Sequence, residues 1–126
     1  VRADPKGGQT LVTLAGNIKH ISAATVSQAY AGGDPLARRL VEETAQYLAA
    51  GIVSIVNAFN PCLLILGGGV IQGLPEYVPM IERSVRPKAL ETAVERLHIV
   101  TAALGNKAGV IGAAALARSK IESPYK

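Results

Sequence analysis

The chain has 126 residues, 49% of them hydrophobic and 17% charged, which is the length of about one small domain and excludes an intrinsically disordered segment. Its formal net charge of +4 is mild and scattered, which argues against a nucleic-acid-binding footprint. A single cysteine excludes a disulfide framework, and no apolar run reaches the roughly 18 residues that a membrane span needs. We therefore expect a cytoplasmic protein without a signal peptide, and a chain that starts at Val1 is expected to be a piece of something longer.

The first part of the chain predicts an irregular lead-in and a short helix. Residues 1–21 contain the turn-forming segment Asp4-Pro5-Lys6-Gly7-Gly8, and residues 10–14 alternate so weakly that they predict a short strand or a loop. Ser22 is a typical N-cap for the short helix that follows, and Gly32-Gly33 ends it.

A long helix comes next. Asp34 as N-cap and Pro35 at the first helical position predict its start, and Asn60-Pro61 predicts its end after about 25 residues. Two rows of side chains at helical spacing should face the core: Leu36, Leu40, Thr44, Leu48 and Ile52, and beside them Ala37, Val41, Ala45 and Ala49. The last turns are apolar nearly all round, so this end should be deeply buried: Ile52, Val53, Ile55 and Val56.

Residues 62–66 are five apolar residues without alternation, which predicts a parallel strand covered on both faces. Within it, Cys62 is expected to be an inert thiol in the core. Three consecutive glycines end this strand. A helix opened by Pro75 and ended by Pro87 follows, with an apolar face of Tyr77, Val78, Ile81 and Val85.

Residues 97–101 predict a second short strand, and residues 107–121 predict a closing helix. In that helix Gly109 and Gly112 should allow close approach to a neighbour, and four side chains should point inward: Ala108, Ile111, Ala115 and Leu116. This alternation of helices and strands predicts an α/β fold with parallel strands. Two strands are too few for a complete sheet, so the others should come from residues 1–21, from residues absent here or from another chain.

The segment Leu66-Gly67-Gly68-Gly69-Val70 is the strongest candidate for a binding site. Bare glycine backbone at the carboxyl end of a parallel strand lets a planar or phosphorylated ligand approach closely. An ordinary tight turn explains the spacing equally well. The loop lacks the Gly-Lys-Ser/Thr ending of a phosphate loop, and Gln72 stands where the dinucleotide-binding pattern requires its last glycine.

Other candidate groups favour structural roles. In the turn formed by residues 103–109, Gly105 supplies the bend and Asn106 can cap the closing helix. His20 and His98 have no partner at metal-ligand spacing and should be structural or exposed. No pair of carboxylates, and no Ser or Cys paired with a base, is recognisable. The sequence therefore indicates no catalytic residue and no metal ligand.

Three separated motifs, in order, resemble those of the ROK family of repressors, uncharacterised frames and sugar kinases, and most of all its bacterial glucokinases. They are Ala31-Gly32-Gly33-Asp34-Pro35-Leu36-Ala37, Asn57-Ala58-Phe59-Asn60-Pro61 followed by Leu64-Ile65-Leu66-Gly67-Gly68-Gly69-Val70, and Ala103-Leu104-Gly105-Asn106-Lys107-Ala108-Gly109-Val110-Ile111-Gly112-Ala113-Ala114. The resemblance covers residues 20–118, and it departs at Lys107, where the family commonly has Asp.

The resemblance implies a ribonuclease-H-like, actin-type ATPase fold, of which residues 1–126 would form a single C-terminal subdomain. It implies that Gly67, Gly68 and Gly69 contact the adenosine of ATP, with Val70 and Ile71 beside them. In the family an Asp of the N-terminal half takes the proton from the sugar 6-hydroxyl, and Mg²⁺ neutralises the phosphates. That Asp and the cysteine-rich zinc motif precede Val1 in the family pattern, so neither falls in this chain.

The resemblance therefore predicts the adenosine-binding part of an ATP-dependent kinase for glucose or a related hexose, working as a homodimer without nucleic-acid or membrane partners. Alone, this piece should be inactive. Two alternatives stay open: the effector domain of a ROK-type transcriptional repressor, and a dimerisation or scaffold domain that associates through the apolar end of the long helix.

Overall fold

The computed structural model describes Asp4 and residues 6–122, apart from the side chain of Asn106. Residues 1–3 and Pro5 of the predicted lead-in, and residues 123–126, lie outside the described part. Single-turn 3₁₀ helices span Ile18–His20 and Gly105–Lys107. The remaining elements, in chain order, are α1 (Gln9–Ala15), α2 (Ala23–Ala31), α3 (Pro35–Phe59), β1 (Leu63–Leu66), α4 (Gly69–Gly73), α5 (Tyr77–Val85), α6 (Glu91–Val94), β2 (His98–Thr101) and α7 (Ala108–Glu122).

The predicted irregular lead-in is wrong over residues 9–15, which form helix α1 instead of a strand or loop. Leu11 is buried in a small cluster with Ala29, Leu36 and Ala37, so packing against α2 and α3 outweighs the weak β-propensity of the local sequence. Gly16, at φ 72°, ends the helix in the left-handed conformation. The turn before α1 is present, since the Gly8 N–H donates to the Asp4 carbonyl at 3.0 Å.

The predicted caps of α2 and α3 are confirmed. The Ser22 hydroxyl accepts from the backbone N–H of Thr25, and the Thr25 hydroxyl accepts from that of Ser22, which completes a capping box. The Asp34 carboxylate accepts from the Ala37 N–H at 2.8 Å at the start of α3. Asn60, at φ 46°, ends α3 directly before Pro61.

Helix α3 is the longest described helix, but only one of its two predicted core-facing rows of side chains is fully buried. Its buried side chains are Leu36, Ala37, Val41, Ala45, Ala49, Ile52 and Val56. Thr44 and Leu48 of the other row are exposed. The prediction of a deeply buried last turn is also wrong in part, since Ile55 is exposed and Phe59 is 78% exposed.

Strands β1 and β2 pair in parallel, as predicted, with Leu64 opposite Ile99. Side chains of α3, α5 and β2 form the main core, against which Leu64 and Leu66 of β1 pack. The members of this core are Val41, Ala45, Ala49, Ile52, Val56, Ile71, Leu74, Tyr77, Ile81, Val85, Ala93, Leu97 and Ile99.

The opposite face of the two strands is open, which corrects the prediction that β1 is covered on both faces. Leu63 is 49% and Ile65 is 59% exposed, and Cys62 is exposed as well and is not a core thiol. Alternate residues of a strand point to opposite faces, and the helices α3 and α5 cover only the face that carries Leu64 and Ile99. The described sheet is therefore a two-stranded part of a sheet with one bare side.

Helix α7 follows the second strand-to-helix turn, as predicted, but none of its side chains is buried. The expected inward side chains are exposed, including Ile111 and Leu116, and no atom lies within 4 Å of a Cβ built on Gly109 or Gly112. Within the described residues, α7 therefore lacks the packing surface that its apolar composition predicts. None of the helices in the described part of the chain is long and apolar enough to cross a membrane.

Candidate functional site

The three glycines occupy the turn between β1 and the short helix α4. Gly68 has φ 101° and ψ 167°, a conformation essentially reserved for glycine, and Gly69 is the first residue of α4. No atom lies within 4 Å of a Cβ built on Gly68 or Gly69. The loop therefore presents bare, accessible backbone at the carboxyl end of the strand, where ligands of parallel α/β folds bind.

The two strand-to-helix turns lie side by side at this end of the sheet. The Ala102 N–H donates to the Leu66 carbonyl at 2.7 Å, and a Cβ on Gly67 would lie 3.1 Å from the Ala102 Cβ. Gly105, at φ 53°, provides the bend that its sequence position predicted, and the Gln72 amide nitrogen lies 3.1 Å from the Cβ position of that glycine. The register of β1 and β2 thus brings together two segments that are about 35 residues apart in the sequence.

A groove of about 380 Å³ opens beside the glycine loop, between α2, α3 and the segment that begins with α4. This volume lies in the range of small-molecule sites, which are mostly apolar with a few polar groups. The groove is lined by Ala23, Ala24, Val26, Ser27, Leu40, Val41, Thr44, Gly69, Val70, Gly73, Leu74 and Tyr77. Two of the predicted ligand-binding residues, Gly69 and Val70, line this groove together with residues of α2 and α3.

The groove offers hydroxyl groups but no charged side chain among its described lining residues. The Ser27 hydroxyl donates to the Gly73 carbonyl at 2.6 Å, and the Thr44 hydroxyl donates to the Leu40 carbonyl at 2.6 Å. Each proton is already bound to a backbone carbonyl, so these oxygens remain only as acceptors for a ligand. The Ser27 and Thr44 side chains therefore offer acceptors, and no charged side chain of the described residues lines the groove, which suits a flat, uncharged group that carries hydrogen-bond donors better than a phosphate.

The carboxyl group of Asp34, the N-cap of α3, is held in its ionised form by hydrogen bonds that lower its pKa. The hydrogen bond from the Ala37 N–H, and then that from the Thr10 hydroxyl, lowers the pKa of Asp34 below its ordinary value of 3.8. Both donors favour the ionised form of this N-cap at the start of α3. Its role is therefore structural.

The remaining chemically interesting side chains do not converge. His20, His98 and Cys62 are exposed and lie in different parts of the fold. Within Asp4 and residues 6–122, no group of three or more His, Cys, Asp and Glu side chains is placed to hold a metal ion. The described residues thus provide a binding surface and no recognisable centre for covalent or metal chemistry.

Sequence reasoning missed the contribution of α2 to the groove. Ser27 and Gly73 are 46 residues apart, and nothing in either local sequence signals that they meet. The available signal is the set of small side chains at helical spacing, Ala23, Ala24 and Ser27, which leave one face of α2 without bulk. That pattern equally suits close helix packing, so it does not identify a ligand site by itself.

Comparison with known proteins relates this architecture to a family. The model of the ROK family matches residues 8–120. A glucokinase from Halalkalibacterium halodurans is 31% identical over 106 residues, which are 84% of this chain and 32% of that protein. The crystal structure of a ROK family glucokinase from Streptomyces griseus, in complex with glucose and AMPPNP, superimposes with a TM-score of 0.78 at 31% identity, over 94% of this chain and 38% of that one.

A ROK family transcriptional regulator, a homolog of the E. coli MLC protein, is 32% identical with a TM-score of 0.59, over 67% of this chain and 21% of its own. The chain spans about a third of the length of the relatives it matches. These similarities confirm the predicted fold class, which is α/β and ribonuclease-H-like (actin-type ATPase), with a parallel sheet that is incomplete in this chain.

Proposed function

We propose that this chain, which belongs to the ROK family, forms the adenosine-binding part of an ATP-dependent sugar kinase. The apolar groove beside the glycine loop, with Gly69 and Val70 in its wall, is the main support for this proposal. The relative from Streptomyces griseus was crystallised with glucose and AMPPNP, an analogue of ATP, which supports a nucleotide and a hexose as the ligands.

The groove suits an adenosine better than a phosphate. An uncharged purine ring fits between apolar walls, and its exocyclic amino group supplies the donor that the Ser27 and Thr44 oxygens can accept. The bare backbone of the glycine loop leaves room for the ribose, since a Cβ at Gly69 would stand in open space. Val70 is half-exposed and offers apolar surface beside it.

In this proposal the γ-phosphoryl group passes from ATP to the 6-hydroxyl of glucose or a related hexose. The hydroxyl oxygen forms the new bond to phosphorus, the bond to ADP breaks, and the proton goes to a carboxylate outside the described residues. This chain contributes positioning of the nucleotide, which converts a bimolecular encounter into an oriented reaction. We assign no ligand of Mg²⁺ or zinc to the described residues, because no group of three or more His, Cys, Asp and Glu side chains lies together among them. The protein would act in the cytoplasm, where ATP and free hexoses meet.

The experiment is a kinase assay on the natural full-length protein with Mg-ATP and a panel of hexoses. We expect ADP release only in the presence of a sugar, and a 6-phosphate product identified by phosphorus NMR. Gly69→Ala should raise the KM for ATP because the new methyl enters the groove. Gly51→Ala, at an equally open position on α3, is the matched control. No sugar-dependent ADP release, or equal KM values for the two variants, would contradict the proposal.

A second candidate function is self-association into a homodimer. It is favoured by exposed apolar side chains at helical spacing on α3, where Tyr47, Ile55 and Phe59 follow one face. Light scattering on the full-length protein and on Ile55→Glu tests it: a dimer that the variant splits supports it, and a monomeric wild type contradicts it. The effector domain of a repressor receives less support, because the similarity to the regulator covers less of this chain than the similarity to the kinase.

A further inference from the structure

A hydrogen bond between distant segments ties the glycine loop to α2. The hydroxyl of Ser27 on α2 donates to the carbonyl of Gly73, the last residue of α4, at 2.6 Å. Both residues line the groove, and Ser27 is half-buried there. The bond therefore joins α2 to the C-terminal end of α4, which is the end farther from the glycine loop.

Helix α4 depends on such tertiary contacts for its position. It has five residues with glycine at both ends and no side-chain N-cap, which is too short and too poor in helix formers to persist alone. Its core side is held by Ile71 and by the following Leu74, both buried in the main cluster. On the groove side, the hydrogen bond from the Ser27 hydroxyl to the Gly73 carbonyl, called the tether below, holds α4 to α2.

We propose that Ser27 is a positioning residue for the nucleotide, because its hydroxyl holds α4, and with it Gly69 and Val70, in the arrangement that accepts the adenosine. This inference rests on the proposed function. The donated proton acts through α4 and the loop, whereas the hydroxyl oxygen stays free to accept from the purine. Hydrogen exchange of the α4 amides without nucleotide reports on the first role alone. Gly73 is exposed, so water replaces the lost donor when the tether is removed, and the fold should lose little stability. Removing the hydroxyl should instead leave the glycine loop and α4 less ordered.

The test compares Ser27→Ala, Ser27→Thr and Ser54→Ala in the natural full-length protein. Ser54 is the matched control, since its hydroxyl also donates to a backbone carbonyl, that of Ala50, on an exposed turn of α3 away from the groove. The measurements are hydrogen exchange of the α4 amides, calorimetric titration with AMPPNP, and the separate KM values for ATP and sugar. The amides of Gln72 and Leu74, which donate to Gly68 and Val70, report on α4 directly.

For Ser27→Ala we expect these amides to exchange faster and AMPPNP to bind more weakly, each by roughly two- to tenfold, the range of one hydrogen bond. The KM for ATP should rise more than kcat falls, while the KM for the sugar stays unchanged. Ser27→Thr keeps the donor and should retain slow exchange, and Ser54→Ala should match the wild type. A role in stability alone would lower the active fraction and leave both KM values unmoved.

Two failures are distinguishable. If the wild type binds AMPPNP and Ser27→Ala binds it equally well with unchanged α4 exchange, the tether is not a positioning device and only this inference is overturned. If the wild type itself does not bind AMPPNP, the proposed function fails, and this inference fails with it.

Discussion

Replacing single glycines of the loop separates backbone strain from ligand contact. Gly68 sits at φ 101° and ψ 167°, where an L-residue costs about 1–3 kcal/mol, so Gly68→Ala should destabilise the protein by that amount. Gly69 begins α4, and nothing lies within 4 Å of its Cβ position. Alanine there should be neutral or stabilise by about 0.4–1 kcal/mol, because it restricts the unfolded chain.

The predicted gap between the two variants is therefore about 1–4 kcal/mol, although the same methyl group is added at adjacent positions. Urea unfolding followed by circular dichroism measures it, with midpoints compared at a common slope. Equal midpoints for Gly68→Ala and the wild type would refute the assignment of a glycine-only backbone to this loop. A loss in Gly69→Ala as large as that in Gly68→Ala would refute the open space beside α4.

Three further predictions concern the frame that holds the site. Asp34→Ala should cost about 1 kcal/mol as a lost N-cap, whereas Asp34→Asn keeps the cap. The Ala37 N–H lowers the pKa of folded Asp34, so the carboxylate's contribution to the free energy of unfolding is complete above the ordinary pKa of 3.8 and is lost as the pH falls through the lower folded pKa. Urea midpoints across pH 2–6 should therefore show the wild type losing its advantage over Asp34→Asn at the acid end. A difference that stays constant with pH would contradict this. Ile81→Ala, at a fully buried position, should cost about 2–5 kcal/mol in the same assay, against about 0.5 kcal/mol or less for the exposed Leu90→Ala, and similar costs would contradict the described core. Arg86→Met removes donors to the Val94 and Leu97 carbonyls before β2 and should cost about 1–3 kcal/mol. Arg118→Met, which breaks an exposed ion pair with Glu122, should cost less than about 1 kcal/mol, and the reverse order would contradict a stabilising role for the Arg86 hydrogen bonds.

The elements with strong local signals could be predicted from the sequence. The bounds of α3 follow from a carboxylate cap, a proline at its first position and Asn60 before a proline, each of which acts within a few residues. The parallel pairing of β1 and β2 follows from the helices between them, since a direct hairpin is excluded by their separation. Local stereochemistry decides these features, so one sequence is enough to find them.

What could not be predicted depends on contacts between distant segments. Helix α1 forms because Leu11 reaches Ala29 and Leu36, and the tether from Ser27 crosses 46 residues to Gly73. The apolar pattern of β1 correctly identifies a strand, but burial of its second face requires a layer that the described residues do not supply. The same holds for α7, whose composition suits a buried helix and whose side chains are all exposed.

A crystal structure of the natural full-length protein with AMPPNP and Mg²⁺ would show directly whether the groove beside the glycine loop holds the adenosine of ATP. We expect the purine ring between α2 and α4, within contact distance of Val70 and the Ser27 hydroxyl, with the ribose against Gly69. An ordered nucleotide bound elsewhere, with this groove empty, would contradict it.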